Sequence, residues 1–402
     1  VYVPIGFQGG LTGALFTEFA FTLAGAVTVS GVIALTLSPM MASRIFRAEQ
    51  DEGRFVKAID RVFDKVHHAY LRTLHSVLDT WVVLVVMGVL LIAAAGVMFK
   101  MSKAELAPEE DQGIVGGLVV GPSTATTQQM QTYSEQIFEV ARALPEYEQM
   151  FQLTGVPTAN QGFTGVLFKP WGERTRSAHE LQQVLQAGWN NIAGARVAAF
   201  QFPALPGSSG LPVQFVITTT EPFENLDNVA QQVLAKANAA HLFYFSDTDL
   251  KIDKPQATLA VDRDMIGALG LTQQQVGGTL GAALGGAYVN YFSIAGRSYK
   301  VIPQVLQVDR LNPSDVLGYH VATPDDGVIA ASTFAHLTHQ VVPESISHFQ
   351  QLNSVTISGV SGQSQGDVLA FLRNALDEVA PSGYSVDYAG LSRQFVQESG
   401  GF

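Results

Sequence analysis

The residues able to carry covalent chemistry are few and poorly placed for it. The 402-residue chain has no cysteine, which removes disulfides, thiolate nucleophiles and thiolate metal sites together. His67, His68 and His75 lie close in sequence, but no carboxylate or thiol joins them at a metal-ligand spacing. Glu109, Glu110 and Asp111 form a carboxylate run that reads as a solvated face. The closely spaced glycines of GAALGG (281–286) have neither the preceding strand nor the basic residue of a phosphate loop. Met101, Met130, Met150 and Met265 are scattered, whereas a path for a soft metal wants paired thioethers. No nucleophile, base and orienting group share a recognisable arrangement, so the chain is expected to bind and move ligands without altering them, with no cofactor, no metal and no catalytic residue.

The elements around these residues point to a membrane. Phe19 to Leu37 and Thr80 to Phe99 contain no charge, and about 20 helical residues span the roughly 30 Å hydrocarbon core. Glu18 stands at the edge of the first span. Neither span has the basic start and small-residue cleavage site of a signal peptide. Residues 41–79 hold seven Lys or Arg and residues 1–18 hold none, so the loop between the spans is expected on the cytoplasmic side and everything after Lys100 on the outer side. Within that loop Ile59, Val62, Phe63, Val66, Tyr70 and Leu74 recur at intervals of three and four, predicting an amphipathic helix over about 53–76 that lies on membrane lipid. The region after Lys100 carries 28 acidic against 15 basic residues. That balance argues against nucleic acid as a partner.

The outer region reads twice as one pattern. Strand periodicity at 113–120, 147–153, 164–168 and 196–202 alternates with helical periodicity at 124–143 and 177–192, giving the order β-α-β-β-α-β of a ferredoxin-like split unit. A second unit starts with a strand at 212–220, a helix at 224–239 and a strand at 242–250, and resumes only at 354–389. Residues 257–345 are thus expected as an inserted α+β domain, with a helix at 272–284 and a Pro-Asp-Asp-Gly turn at 324–327. The expected fold is a membrane protein, α plus α+β. Residues 1–100 form the membrane region, with the end of one helix and spans near 13–40 and 80–100. Two subdomains follow, 104–207 and then 208–256 with 346–392. Residues 1–12 read as the outer end of an earlier helix and 393–402 as the approach to a later one, so the chain is expected to be an internal piece of a longer protein.

The strings LTLSPMMAS (35–43), AELAPEEDQG (104–113) and GLTQQQVGGTLGAALGGAYVNYF (270–292), in this order and spacing, resemble the resistance-nodulation-division superfamily, specifically its hydrophobe and amphiphile efflux branch. The resemblance covers essentially the whole chain. It implies a trimeric, proton-driven pump of the Gram-negative inner membrane that takes small amphiphilic compounds from the periplasm and works with an adaptor protein and an outer-membrane channel. The two α+β units would be porter subdomains, and the insertion a funnel or docking subdomain. A membrane-anchored binding or sensor module would explain the two spans, but not the inserted domain. The acid pair that drives such pumps has no counterpart in the two spans, so this piece alone is expected to transport nothing.

The resemblance also implies a site. By position, Phe151, Leu153 and Phe163 match the wall of an aromatic pocket, and Phe200 and Phe202 an outer pocket. Residues 154–162, with Thr154, Gly155, Pro157, Asn160 and Gly162, match a switch loop between the two. This loop is shorter than in familiar members, and Gly165 stands where they carry a further phenylalanine. Asp247 replaces an arginine of some members, which implies a preference for cationic cargo. The turn at Asp325, Asp326 and Gly327 matches a hairpin that meets other envelope components.

Overall fold

The computed structural model describes residues 7, 10–45, 54–101, 110–204, 209–285 and 288–399. Glu109, Gly286, residues 205–208 and most of residues 1–12 lie outside them. Two helices are long and apolar enough to cross a membrane: α1 (Gly10–Ile45), whose apolar stretch runs from Phe16, and α3 (Trp81–Met101). Their side chains are almost entirely exposed. Glu18 lies inside α1, near the start of that stretch, and its side chain is exposed. Between them α2 (Arg54–Asp79) keeps an exposed apolar stripe at Ile59, Val62, Phe63, Val66 and Tyr70. Only Thr80 separates it from α3, and the Thr80 hydroxyl donates back to Ser76 O across the corner at 2.8 Å.

The first α+β unit runs β1 (Ile114–Val120), α4 (Thr127–Arg142), β2 (Tyr147–Thr154), β3 (Gln161–Phe168), α5 (Ala178–Trp189), β4 (Arg196–Phe200). Its antiparallel sheet has the order β2-β3-β1-β4. Local chemistry fixes the helix starts: Thr126 Oγ1 accepts from Gln129 N, and Ser177 with Glu180 makes a reciprocal capping box. Strand alternation then sorts the side chains. Val115, Val119, Val166, Val197 and Ala199 pack on Met130, Ile137, Leu181, Leu185 and Trp189 of the helices. Gly117 lets this layer close, since a Cβ there would sit 2.4 Å from Thr164 Cγ2 and 3.2 Å from the Trp189 ring.

The second unit repeats the plan with a long interruption. It comprises β5 (Val213–Thr219), α6 (Phe223–Ala239) and β6 (Phe245–Thr248), and later β13 (Ser347–Phe349), β14 (Leu352–Val360), α9 (Gln365–Val379) and β15 (Tyr384–Tyr388), with α10 (Gly390–Ser399) following. β5 lies between β14 and β15, and β14 pairs with β13 through one half and with β6 through the other. Phe215, Ile217, Val355 and Ile357 pack against Leu226, Val233, Leu369 and Leu372.

The interruption departs in detail from the sequence expectation. It leaves and returns through a ribbon of β7 (Ile252–Val261) and β12 (Ala335–Pro343), which crosses the boundary drawn at 256/257. Beyond the ribbon come α7 (Arg263–Ala268), α8 (Gln273–Leu284), the hairpin of β8 (Asn290–Ile294) with β9 (Arg297–Val301), and the hairpin of β10 (His320–Ala322) with β11 (Val328–Ala330). Its own small core holds Ile266, Val276, Leu280, Val316 and Phe334. The Asp325-Asp326-Gly327 turn closes β10 to β11 with all three residues exposed, Asp326 at φ 59°, and Thr323 N donating to Gly327 O at 2.9 Å.

Candidate functional site

The sheet of the first unit has helices on one face only, and its other face carries the phenylalanines. Pairing register puts Phe151, Gly165, Gly116 and Phe200 in one row across β2, β3, β1 and β4, and Leu153, Phe163, Leu118 and Ala198 in the next. Because successive side chains point to opposite faces, both rows share the side away from Trp189. Phe202 joins from the segment beyond β4. Ring centroids are 5.9 Å apart for Phe151 and Phe163, 6.2 Å for Phe163 and Phe200, 6.3 Å for Phe163 and Phe202, and 5.5 Å for Phe200 and Phe202. These are the separations of tilted and edge-to-face ring contacts. Four residues spread over 52 positions of sequence thus form one cluster.

The cluster is graded from closed to open. Phe200 is 5% exposed and packs with Ala198, Leu211, Phe245 and Val360, so it seals the junction between the two units. Phe163 and Phe202 are half-buried against the same group. Phe151 and Leu153, on the outer strand β2, are 43% and 53% exposed. The surface is open at its β2 edge and closed at its β4 edge.

Residues 154–162 form a tighter structure than a nine-residue loop. Thr154 ends β2, while Gln161 and Gly162 begin β3, so the turn proper is 155–160. Gly155 takes φ 77°, a conformation that favours glycine, and its N–H donates to Gln161 O at 2.8 Å. The Val156–Pro157 peptide is cis. Asn160 is buried. Its carbonyl accepts from Gly121 N at 2.8 Å, its side-chain oxygen accepts from the Thr158 hydroxyl at 2.8 Å, and its Nδ2 donates to the Glu344 carboxylate at 3.3 Å. The turn therefore sits at the end of the sheet, tied to the foot of the ribbon that carries the insertion.

Charges collect at the same junction. Arg196 on β4 donates to Asp247 at 2.8 Å and to Ser246 O, with its guanidinium carbon 5.1 Å from the Phe245 ring centroid. Lys251 reaches the other oxygen of Asp247 at 2.7 Å. Asp247 is therefore paired with two cations at the junction. Burial raises the carboxyl of Glu344 above its usual range, and the nearby Asp253 adds to the rise against the opposing Asn160 hydrogen bond. Burial also raises Asp249, although its carboxylate accepts from Thr356 N at 2.6 Å. The opposite end of the sheet behaves in reverse. Arg176 grips Glu146 with two hydrogen bonds of 2.8 and 2.6 Å and lowers it. Burial works to raise Asp111, but Arg174 and the N–H groups of Ala178 and Gly113 prevail and leave it lowered.

Of the five side chains singled out in the sequence, the structure brings the four phenylalanines into ring contact, with Leu153 beside Phe163 in the same row. It did not single out Gly116, Leu118, Arg196, Phe245 or Glu344. The Gly-Gly pair inside the apolar strand IVGGLVV was an available signal, because glycine in a strand marks a close approach. Among the described residues no group of three or more His, Asp or Glu side chains is placed to hold a metal.

Comparison with known proteins fits this architecture. An uncharacterized transporter of Haemophilus influenzae is 33% identical over 401 residues, covering 99% of this chain and 39% of its own. Multidrug export protein AcrF of Escherichia coli is 26% identical over 98% of this chain and 40% of its own. The multidrug/solvent efflux pump membrane transporter MepB of Pseudomonas putida is 26% identical over 98% and 39%. The chain thus spans about two fifths of the length of these relatives. The profile of the AcrB/AcrD/AcrF family matches residues 1–401, and with the two apolar helices and the paired α+β units it places the chain in that family of resistance-nodulation-division efflux transporters.

Proposed function

We propose that this chain handles cargo for a proton-driven efflux pump of the Gram-negative inner membrane, taking hydrophobic or amphiphilic compounds onto the aromatic face of the first α+β unit. The observation that carries this reading is the gathering of Phe151, Phe163, Phe200 and Phe202 onto the one helix-free face, at the junction with the second unit. A surface whose only duty was packing would be sealed throughout. This one grades from 5% exposure at Phe200 to 43% at Phe151. Large apolar surface with few polar groups binds by area and tolerates varied ligands.

In this reading the two units are ferredoxin-like porter subdomains. The turn at 155–160 is the switch element, and separation of the units at Leu211, Phe245 and Val360 exposes Phe200 and Phe202. The region after α3 lies in the periplasm, and α2 rests on cytoplasmic-leaflet lipid. The inserted domain, with its Asp325-Asp326-Gly327 hairpin, faces an adaptor or outer-membrane channel, and the intact pump is a trimer. The names multidrug export protein and multidrug/solvent efflux pump of two relatives support the cargo class. The test is alanine substitution of Phe151 and Phe163 in the intact transporter, expressed in an efflux-deficient host. The expected result is a changed pattern of resistance across compounds at unchanged abundance. Equal loss of resistance to all compounds in step with loss of protein would refute it.

A further inference from the structure

Two glycines face each other in the middle of the aromatic surface. Gly165 pairs with Gly116, and their row runs outward to Phe151 on one side and Phe200 on the other. Across four strands it reads ring, glycine, glycine, ring. With strands about 4.8 Å apart, the outer Cα atoms stand about 14 Å from each other over a floor of bare backbone. Neither ring stands clear of that floor. A Cβ on Gly165 would lie 2.2 Å from Cε1 and 2.6 Å from Cζ of Phe151, and one on Gly116 would lie 2.8 Å from Cζ of Phe200. Each ring fills the volume that a side chain on its glycine neighbour would take.

The two rings differ in freedom. Phe200 is wedged at the junction against Leu211, Phe245 and Val360. Phe151 stands on the outer strand of the sheet with 43% exposure and can rotate toward solvent about χ1 without displacing a core. We propose that the bare backbone at Gly165 is a subsite for one flat aromatic ring of the cargo, and that Phe151 plugs it when no cargo is bound. The subsite rests on the reading of this face as a cargo surface. A flat π system entering there lies on the peptide planes of β3 and β1 and meets Phe163, which Phe151 now faces at 5.9 Å. A bulky, puckered skeleton cannot lie flush with that floor and gains nothing from the missing side chain. The specificity determinant is thus an absence, Gly165, and one methyl group there suffices to lift a flat ligand off the floor.

Binding to the intact transporter in detergent tests this by calorimetry with two probes, acridine orange as the flat tricyclic ligand and deoxycholate as the puckered one. Gly165→Ala is expected to lower affinity for acridine orange about tenfold relative to deoxycholate, the usual scale for one methyl-sized change in an apolar pocket. Phe151→Ala alone removes the plug and should shift the ratio toward acridine orange. Because Gly165→Ala crowds the Phe151 ring, the double variant Phe151→Ala/Gly165→Ala, in which the methyl has room, must keep the loss shown by Gly165→Ala. A double variant whose probe ratio equals that of Phe151→Ala alone overturns the subsite while leaving the cargo surface standing. Wild-type protein that binds neither probe overturns the cargo surface and the subsite with it.

Discussion

The two α+β units share one plan and differ in what they place on the face their helices leave open. In both sheets the helix-covered face is apolar and sealed, with Val115, Val119 and Val166 in one and Phe215, Ile217, Val355 and Ile357 in the other. The opposite face of the first carries Phe151, Leu153, Phe163, Leu118 and Phe200, whereas that of the second is mostly polar, with Gln214, Thr218, Ser354, Thr356 and Ser358 beside Val216 and the junction residues Phe245 and Val360. The connection between the second and third strands differs as well. In the first unit it is the turn 155–160, and in the second it is the whole insertion from the ribbon β7/β12 outward. These equivalent connections touch, through Asn160 and Glu344. The covered face is fixed by the need to bury apolar area, so it is the same in both. The uncovered face and the loops are under no such demand, and there the units diverge.

The largest effects should come from the covered faces, where the comparison says the units are alike. Trp189→Ala in the first and Phe215→Ala in the second each empty a fully buried site. Each is expected to cost about 3–5 kcal/mol, read as a lowered denaturation midpoint and lowered abundance. A Trp189 variant that folds like wild type would break the equivalence. The junction comes next: Arg196→Ala removes the cation that ties β4 to Asp247 and Ser246. It should cost about 1 kcal/mol and speed amide exchange in β6, and unchanged exchange there would show that the aromatic contacts alone hold the units together. On the open face Phe151→Ala should cost about 1 kcal/mol or less, because much of the ring is already in water. A loss as large as that of Trp189 would mean the open face is core after all.

The smallest effect is a pH response of opposite sign at the two ends of the first sheet. Glu344, at the turn end of the first sheet, is raised in the fold, as is Asp249 on the neighbouring second unit. The stability they contribute is present below their unfolded values, about 4, and is lost as pH climbs through the folded ones. Asp111 and Glu146 are lowered, so their contribution is present at neutral pH and is lost only as pH falls through the folded values, below about 4. Acidification from neutral pH toward the unfolded value of about 4 should therefore slow amide exchange, corrected for its intrinsic rate, in residues 155–162 and leave 110–116 unchanged. Glu344→Gln should flatten the first trend. Faster exchange at 155–162 on acidification would reverse the assignment.

Much of this was written in local sequence. The two uncharged stretches, the three-and-four spacing of α2 and the alternation of the sheet strands each follow from chain geometry, since a helix or strand in a given environment demands its own period. Helix limits fall close to expectation: 124–143 became Thr127–Arg142, and 272–284 became Gln273–Leu284 behind its Thr272 cap. The ribbon strand Ile252–Val261 was missed because its middle is exposed and its sequence, IDKPQATLAV, carries no sustained alternation and includes a proline.

What only the tertiary structure decided concerns pairs far apart in the chain. Sequence named Phe151 and Phe200 through a resemblance, but a one-residue slip of either strand would have sent its ring to the other face. Register put them over the two glycines. Asp247 was legible as a charge, and its pairing with Arg196, 51 residues away, was not. Nor was the bond between Asn160 and Glu344, which joins positions 184 residues apart. Local periodicity states which face of an element is apolar. Which faces meet, and which are left open for a ligand, follows from how the sheets pair and pack, because those choices depend on the free energy of the whole assembly of elements and of no single segment.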